Sequence, residues 1–431
     1  MNTTKNTSFI KNVITLVTGS VLAQIISLIG LILLQRYFYG PEDFAPFRLF
    51  FEFTVIFAGI SALRLDSAIV LEKEDKNAKG LVLICIKLIL LTALVSGVSF
   101  LVLSYFNKGI SALAKDKLIV SLIPLTVIVL GLIQVFNSWF TRIESYKLMS
   151  VNKVLQNGVS VCSQLLFGLL KFNYIGLILG RFMGLLAANS NFLARYIKHK
   201  KSTSISFSEQ KSLIKKHKDF IVFTTPGFFI GNLINFIFLA FFIDFYGNHF
   251  GGQIAATVQY LGISIAIISS SFSQVYFKEI TKLNTKKELK NTYTYWFLRL
   301  GIIATIGAIS LQFIPDKFII FFLGDKWSGL IEIMQIMGIW MALMFVSSSL
   351  SYIYIKLGKQ KQTLFLDLIH LIMVVVGLQW IHSQYASAMT TLWTFTFIQL
   401  LFYVIAIFAA YYFIEGFEDE LTIDNKKSNK S

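Results

Sequence analysis

The chain has 431 residues, 55% of them hydrophobic and only 14% charged, with a formal net charge of +16 and a mean hydropathy of +0.68. A soluble core cannot hide that much apolar surface, whereas a hydrocarbon slab about 30 Å thick can. An ordinary soluble domain is therefore excluded, and the basic excess needs no nucleic acid once it is traced to loops on one side of a membrane.

From the N-terminus, MNTTKNTSFIK leads into a span predicted over Asn12–Tyr37. That stretch is too long for a secretory h-region and shows no small-residue cleavage site, so it reads as a retained first span. Further stretches long enough to cross follow at Phe44–Leu63, Leu81–Ser104, Leu118–Phe140, Val154–Leu170, Gly176–Ala194, Phe220–Ile243, Ala255–Val275, Tyr295–Phe313, Leu330–Ile355, Thr363–His382 and Ser387–Phe413. They make an all-α polytopic membrane protein of about twelve spans, because stretches this long and apolar cannot be barrel strands. Cys85 and Cys162 lie inside spans and read as small apolar core residues.

Lysine and arginine collect on every second loop: Arg64, Lys73, Lys76 and Lys79; Arg142, Lys147 and Lys153; Arg195 through Lys218; Lys278 through Lys290; and Lys356, Lys359 and Lys361. The alternate loops hold only Lys108, Lys115, Lys117, Lys171, Lys317 and Lys326. This bias puts both termini in the cytoplasm and the chain in the cytoplasmic (inner) membrane. The runs Lys198–Lys201 and Lys215–Lys218 are topogenic charge or contacts to anionic headgroups.

The longest inner loop divides the chain into residues 1–195, an N-terminal six-helix lobe, a basic linker over 196–218, a C-terminal six-helix lobe over 219–413 and a tail over 414–431. An internal echo supports duplication: QRYFYG (Gln35–Gly40) closes the first span and FIDFYG (Phe242–Gly247) the seventh, which suits parallel repeats. Gly176, Gly180 and Gly184 in the sixth span, and Gly227 and Gly231 in the seventh, predict close helix approach. Pro124 and Pro226 predict bends that either border a cavity or are static kinks.

Catalytic signatures are absent from the sequence. It contains no GxSxG, Walker loop or HExxH, and its five histidines lack metal-ligand spacing, so no catalytic residue, metal or cofactor is expected. The informative residues are ionisable groups within spans, each costing about 2.5–3.5 kcal/mol at a helix centre. Arg48 and Glu52 are four apart, and Arg64 and Asp66 follow at the inner end of the same span, giving one face of alternating charge. Either this face lines a hydrated cavity where arginine meets an anionic group, or Arg48 snorkels and pairs with Glu52. Arg36, Lys87, Arg181 and Arg299 mark other spans and together favour a cationic interior suited to a phosphate-bearing or acidic cargo. Asp367 and His370, three apart, are candidates for a proton relay or an interfacial pair. Gln24, Gln134, Asn137, Asn232, Asn235, Gln259 and Gln274 line the same route or bond helix to helix.

FYGPEDFAPFRLF (Phe38–Phe50) followed by LRLDSAIVL (Leu63–Leu71) resembles the polysaccharide transport family of the multidrug/oligosaccharidyl-lipid/polysaccharide exporter superfamily. KDFIVFTTPGFFIGNL (Lys218–Leu233), SSSFSQVYFKEIT (Ser269–Thr281), FFLGDKW (Phe321–Trp327) and YIKLGKQK (Tyr354–Lys361) extend the likeness over essentially the full length. The chain departs from the family pattern at Leu65 and Asp66, where the family has tyrosine and glutamate, and at Glu72, where it has proline. The resemblance implies two six-helix lobes around a central cavity, alternating access and a Wzx-type flippase role. Its cargo would be undecaprenyl-diphosphate-linked oligosaccharide repeat units for O-antigen, capsule or exopolysaccharide assembly. The implied partners are that lipid-linked substrate, membrane lipids, and a polysaccharide polymerase with its chain-length machinery. A cation-coupled drug or metabolite exporter of the same superfamily and a membrane polysaccharide polymerase are the alternative readings.

Overall fold

A backbone amide or carbonyl left unpaired in hydrocarbon costs several kcal/mol, so spans must satisfy their hydrogen bonds internally. The computed structural model, which describes residues 3–199 and 205–417, is helical throughout and has no strand among the described residues. The first twelve elements in chain order begin with α1 (Thr3–Tyr37), α2 (Pro41–Ile60), α3 (Leu65–Leu71), α4 (Asp75–Leu103), α5 (Lys108–Ala114) and α6 (Lys117–Arg142). They continue with α7 (Tyr146–Leu169), α8 (Asn173–His199), α9 (Phe207–Lys216), α10 (Thr225–Ile280), α11 (Lys286–Gln312) and α12 (Asp316–Leu323). Then come α13 (Leu330–Leu350), α14 (Tyr352–Lys356), α15 (Gln360–Ser383) and α16 (Ala388–Glu415). The tail beyond residue 417, the lysines at 200 and 201 and the side chain of Gln274 lie outside the described residues.

Each of the twelve expected intervals falls on helix, and the chain is a multi-pass membrane protein. By length and hydropathy alone, nine helices among the described residues can cross, or ten if the bent pair α2 and α3 is one span. The number twelve is therefore approximate. The polar residues Asn152, Lys153, Gln156, Asn157 and Gln164 keep α7 out of that set. α10 comprises two helices, one for each of two expected spans, that meet at a kink at Gly247, whose non-helical angles (φ 85, ψ 171) only glycine adopts without strain.

The second span is not one straight face. Leu63 (φ 49) and Arg64 (φ 56) are both left-handed, and α2 and α3 meet at a 49° bend. The helical period is lost across the break. Arg64 and Asp66 therefore do not continue the face that carries Arg48 and Glu52, contrary to the expectation from spacing. Pro226 lies inside a continuous helical span, because the π-helical turn over Phe220–Thr224 runs directly into α10 and the missing amide falls just after that wider turn.

The contacts divide the chain into two compact units, one of residues up to Ala255 with Phe322–Lys326, the other of Ala256–Phe321 with Trp327 onward. In the first unit, Leu65, Ile69, Leu81, Cys85, Phe136 and Phe140 form a buried core, with Phe140 stacked on Phe192 at 5.0 Å. In the second, Tyr276, Leu289, Tyr293, Phe345 and Leu350 do the same. Cys162, expected in a core, is exposed, so only Cys85 fits that description.

The glycine stripe of α8 works as its spacing predicts. A Cβ at Gly180 would stand 2.6 Å from the backbone nitrogen of Gln164, and one at Gly184 only 2.4 Å from the carbonyl oxygen of Gln156. α7 and α8 thus meet backbone to backbone, as small residues allow. Gly231 differs, since a Cβ there would meet nothing within 4 Å. Gly184→Ala is expected to lower the Tm of the detergent-purified protein, by about 1–3 kcal/mol of overpacking, whereas Gly158→Ala, whose Cβ also faces open space, leaves it unchanged or raises it. Equal melting of the two variants would show that α7 and α8 can separate freely.

Candidate functional site

The charged residues of the first unit are brought together in pairs. On α2, Arg48 Nε donates to Glu52 Oε1 at 2.8 Å, and its Nη2 lies 2.7 Å from the same oxygen. Four-residue spacing on one helix makes that meeting automatic. The Arg48 side chain keeps 29% of its surface exposed and Glu52 only 11%, so the carboxylate lies beneath the guanidinium.

Arg181 enters from α8, which packs against α2. Its Nη1 donates to Asn157 Oδ1 on α7 at 3.2 Å, a contact that depends on the close approach at Gly180 and Gly184. The charge of Arg48 acts on Arg181 electrostatically. Two cations and one carboxylate leave this group one positive charge in excess. Such a site suits a phosphate or carboxylate, which guanidinium groups bind through charge-assisted hydrogen bonds.

Arg64 and Asp66 form a second group near the other end of α2. The Arg64 guanidinium lies 4.9 Å from the centre of the Phe228 ring, and its charge acts on Asp66, which is 5% exposed. Arg64 Nε and Asp66 Oδ1 are buried with no hydrogen-bond partner. Arg36, at the end of α1, is exposed beside Gly324. Lys87 reaches out of its span to donate to Gln210 on α9 at 3.1 Å, which is the snorkelling arrangement.

The remaining candidates lie in the second unit. Arg299 is exposed on α11 with its guanidinium 4.0 Å from the centre of the Tyr295 ring. His370 is buried on α15, bonded through Nε2 to Gln399 Oε1 at 2.9 Å and stacked on Phe402 at 3.7 Å. Its ring thus turns to α16 and away from a pairing with Asp367, which is half-buried on the same helix. Among the described residues no group of three His, Cys, Asp or Glu side chains is arranged to hold a metal.

A sequence profile described as "Polysaccharide biosynthesis protein" matches residues 9–241, more than half of the chain. The chain belongs to the polysaccharide biosynthesis protein family. No curated protein sequence matches it significantly. Solved structures similar to it include a multidrug resistance MATE family transporter of the MOP superfamily in an inward-facing conformation, 14% identical with a TM-score of 0.67 over 93% of this chain and 95% of that one. The MATE multidrug transporter DinF-BH is 15% identical, TM-score 0.65, over 94% and 95% of the two chains. A MOP superfamily transporter from Pyrococcus furiosus, whose description notes a binding pocket of reverse polarity, is 13% identical, TM-score 0.62, over 94% and 96%. At these identities the likeness is one of fold.

Within the matched stretch of this polysaccharide biosynthesis protein, the structure shows a site that spacing did not predict. Glu72, standing where the family pattern has proline, is buried and bound by Lys216 Nζ and His217 Nε2, each 2.6 Å from Oε1. Arg142 donates to the carbonyls of Glu72 and Lys73 at 3.1 and 3.2 Å and pairs with Asp75 at 2.7 Å. Lys76 meets Glu209 at 2.5 Å, and Ser206 and Glu209 close a capping box at the start of α9. The linker helix is thereby strapped to the turn between α3 and α4. The departure at Glu72 was visible in the sequence, but its partners lie 144 and 145 residues away.

Burial raises the Glu72 carboxyl, but hydrogen bonds from Lys216 and His217, with their charges, outweigh it and hold the group below its usual range. A depressed carboxyl contributes stability above its unfolded pKa, about 4.3, and loses it as pH falls through the folded value. Glu72→Gln is expected to cost about 1–3 kcal/mol near neutral pH and to flatten the loss of Tm on acidification below about pH 4. An unchanged acid profile in thermal unfolding would show that the strap contributes nothing.

Proposed function

We propose that this protein is a flippase that moves undecaprenyl-diphosphate-linked oligosaccharide repeat units across the cytoplasmic membrane, for O-antigen, capsule or exopolysaccharide assembly. The observation that carries the reading is the group of Arg48, Glu52, Asn157 and Arg181, a net positive polar cluster built into membrane-spanning helices. Family membership places the chain in polysaccharide biosynthesis, and the fold is shared with transporters. The cargo's isoprenoid tail is at home in the bilayer, while its diphosphate and sugars are not. A cationic route lowers the cost of crossing for the headgroup alone.

In this reading the chain has two six-span halves joined by the linker over residues 196–218, with both termini cytoplasmic, and alternating access moves the headgroup. Arg48 and Arg181 meet the diphosphate, and Glu52 keeps Arg48 oriented while the site is empty. Arg36, Arg64, Asp66 and Arg299 extend the polar route. The polymerase and chain-length machinery act on the delivered units. Asp367 favours a second reading, a cation-coupled exporter, because it is a half-buried carboxylate within a span, the kind of group that carries coupling ions.

In a strain lacking its own flippase, Arg48→Ala and Arg181→Ala are expected to reduce surface polysaccharide about tenfold, matching the loss of about 1.4 kcal/mol of recognition, at normal membrane levels. Wild-type polymer in both variants would remove the cluster from the route. Ser206→Cys in a background without the native cysteines should react with impermeant maleimide only from the cytoplasmic side. Labelling from outside would invert the topology.

A further inference from the structure

The short helix α9 is docked at a defined level of the membrane-spanning helix α4. At the start of α4, Asp75, Lys76 and Lys79 give way at Leu81 to an apolar run that reaches Leu103 and carries no charge but Lys87. The boundary between water and hydrocarbon therefore passes close to Gly80. A Cβ at Gly80 would stand 2.2 Å from Ile205 Cδ1 and 3.1 Å from Leu213 Cδ1, so the chain entering α9 and α9 itself press on α4 at that boundary. Two polar contacts bracket the same level. Lys76 pairs with Glu209 at 2.5 Å, and Lys87, about 16 Å further along α4, extends to Gln210 at 3.1 Å. The bonds of Lys216 and His217 to Glu72 fix the far end of α9.

Another side of α9 has no protein against it. Phe207, Lys211 and Lys215 are four apart and share one side of the helix, and about 200° of rotation separates Lys211 from the docked Leu213. Phe207 is 81% exposed, and both lysines are exposed as well. Neither lysine has a carboxylate partner among the described residues, because Glu209, the acid of α9, is taken by Lys76. The stripe thus presents one bare aromatic ring and two uncompensated cations.

Its depth decides what covers it. A phenylalanine this exposed beside the edge of the hydrocarbon stands among acyl chains, while lysine stems carry their ammonium groups out to the headgroups. A soluble acidic protein would have to displace the leaflet from Phe207. An anionic phospholipid instead supplies chains for the ring and a phosphate for the ammonium groups.

We infer that α9 is an interfacial anchor that binds anionic phospholipid in the leaflet where α4 begins, with Phe207 among the chains and Lys211 and Lys215 on the phosphates. The contacts to Lys76, Lys87 and Glu72 hold this face at the right depth before any lipid arrives, so little ordering is left for binding to supply. The inference rests on the membrane-spanning fold and is independent of the cargo.

The first test places a nitroxide on Ser208→Cys, in the full chain with Cys85 and Cys162 replaced by alanine, in phosphatidylcholine nanodiscs with and without phosphatidylglycerol. Its relative accessibility to oxygen and to a neutral nickel chelate reports depth. The label is expected at the headgroup level when phosphatidylglycerol is present, and Phe207→Gln should move it toward water. Free access of the chelate in both lipid mixtures would leave the face open to a soluble partner and overturn the anchor. The second test needs no cysteine replacement. In native mass spectrometry of protein released from mixed nanodiscs, the preference for phosphatidylglycerol over phosphatidylcholine should fall about 25-fold when Lys211→Gln is combined with Lys215→Gln, at about fivefold per lysine. The charge-matched pair Lys282→Gln and Lys287→Gln, exposed lysines of the second unit, should leave it unchanged. Equal loss in both pairs would show that overall charge, and not α9, collects the lipid.

Discussion

A guanidinium among membrane-spanning helices is costly unless its N–H groups meet acceptors or water, and in the first unit Arg48 and Arg181 each meet one. Glu52 and Asn157 supply the acceptors for Arg48 and Arg181. The second contact exists because α8 carries glycine at 180 and 184, which lets the backbone of α7 come close enough for Asn157 to reach across. With larger residues there, α7 would be held away and Arg181 would have to find another partner. The glycine stripe is thus the structural cause of the Arg181–Asn157 contact, while the Arg48–Glu52 pair follows from the spacing along α2 alone.

The helices and their approximate limits were legible because a bilayer leaves the backbone few choices, so apolar length alone identifies a span. Pairings four apart, such as Arg48 with Glu52, were legible because the helix itself sets their geometry. Legibility ended where the chain leaves the regular period. Two left-handed residues, Leu63 and Arg64, turn the inner end of the second span away from the expected face, and neither is a residue type that announces such a conformation. Pro226 was legible as a breaker, but the π-helical turn that precedes it within the same span has no sequence mark. His370 was seen beside Asp367 in sequence, yet bonding to Gln399 depends on how α15 and α16 pack, which spacing does not contain.

The internal echo gains meaning from the structure. Gly40 is an extended residue that caps the start of α2, and Gly247 carries a positive φ at the break inside α10. Two residues past each glycine stand Glu42 and His249, and their side chains meet at 2.7 Å across a separation of 207 residues. The two glycines are separated by the same interval. The turn after Asp244 is held in the same unit, as that carboxylate accepts from Asn107 Nδ2 at 2.6 Å and from the backbone nitrogen of Gly109 at 2.8 Å. A three-residue echo that counts for little as a string thus marks two stretches that touch, although their glycines differ in backbone conformation.

The contrast between the paired cations of the first unit and the lone Arg299 of the second is informative about chemistry. A pre-paired arginine is held in place and gives up part of its hydration before any ligand arrives, so an anion meeting it competes with Glu52 and gains a modest net amount. On the proposed flippase reading, weak capture suits a headgroup that must be released on the far side, because a site that bound diphosphate tightly would stop the cycle at its most favourable point. Arg299 has no carboxylate beside it among the described residues; its exposed guanidinium lies over the Tyr295 ring, which leaves its hydration largely intact.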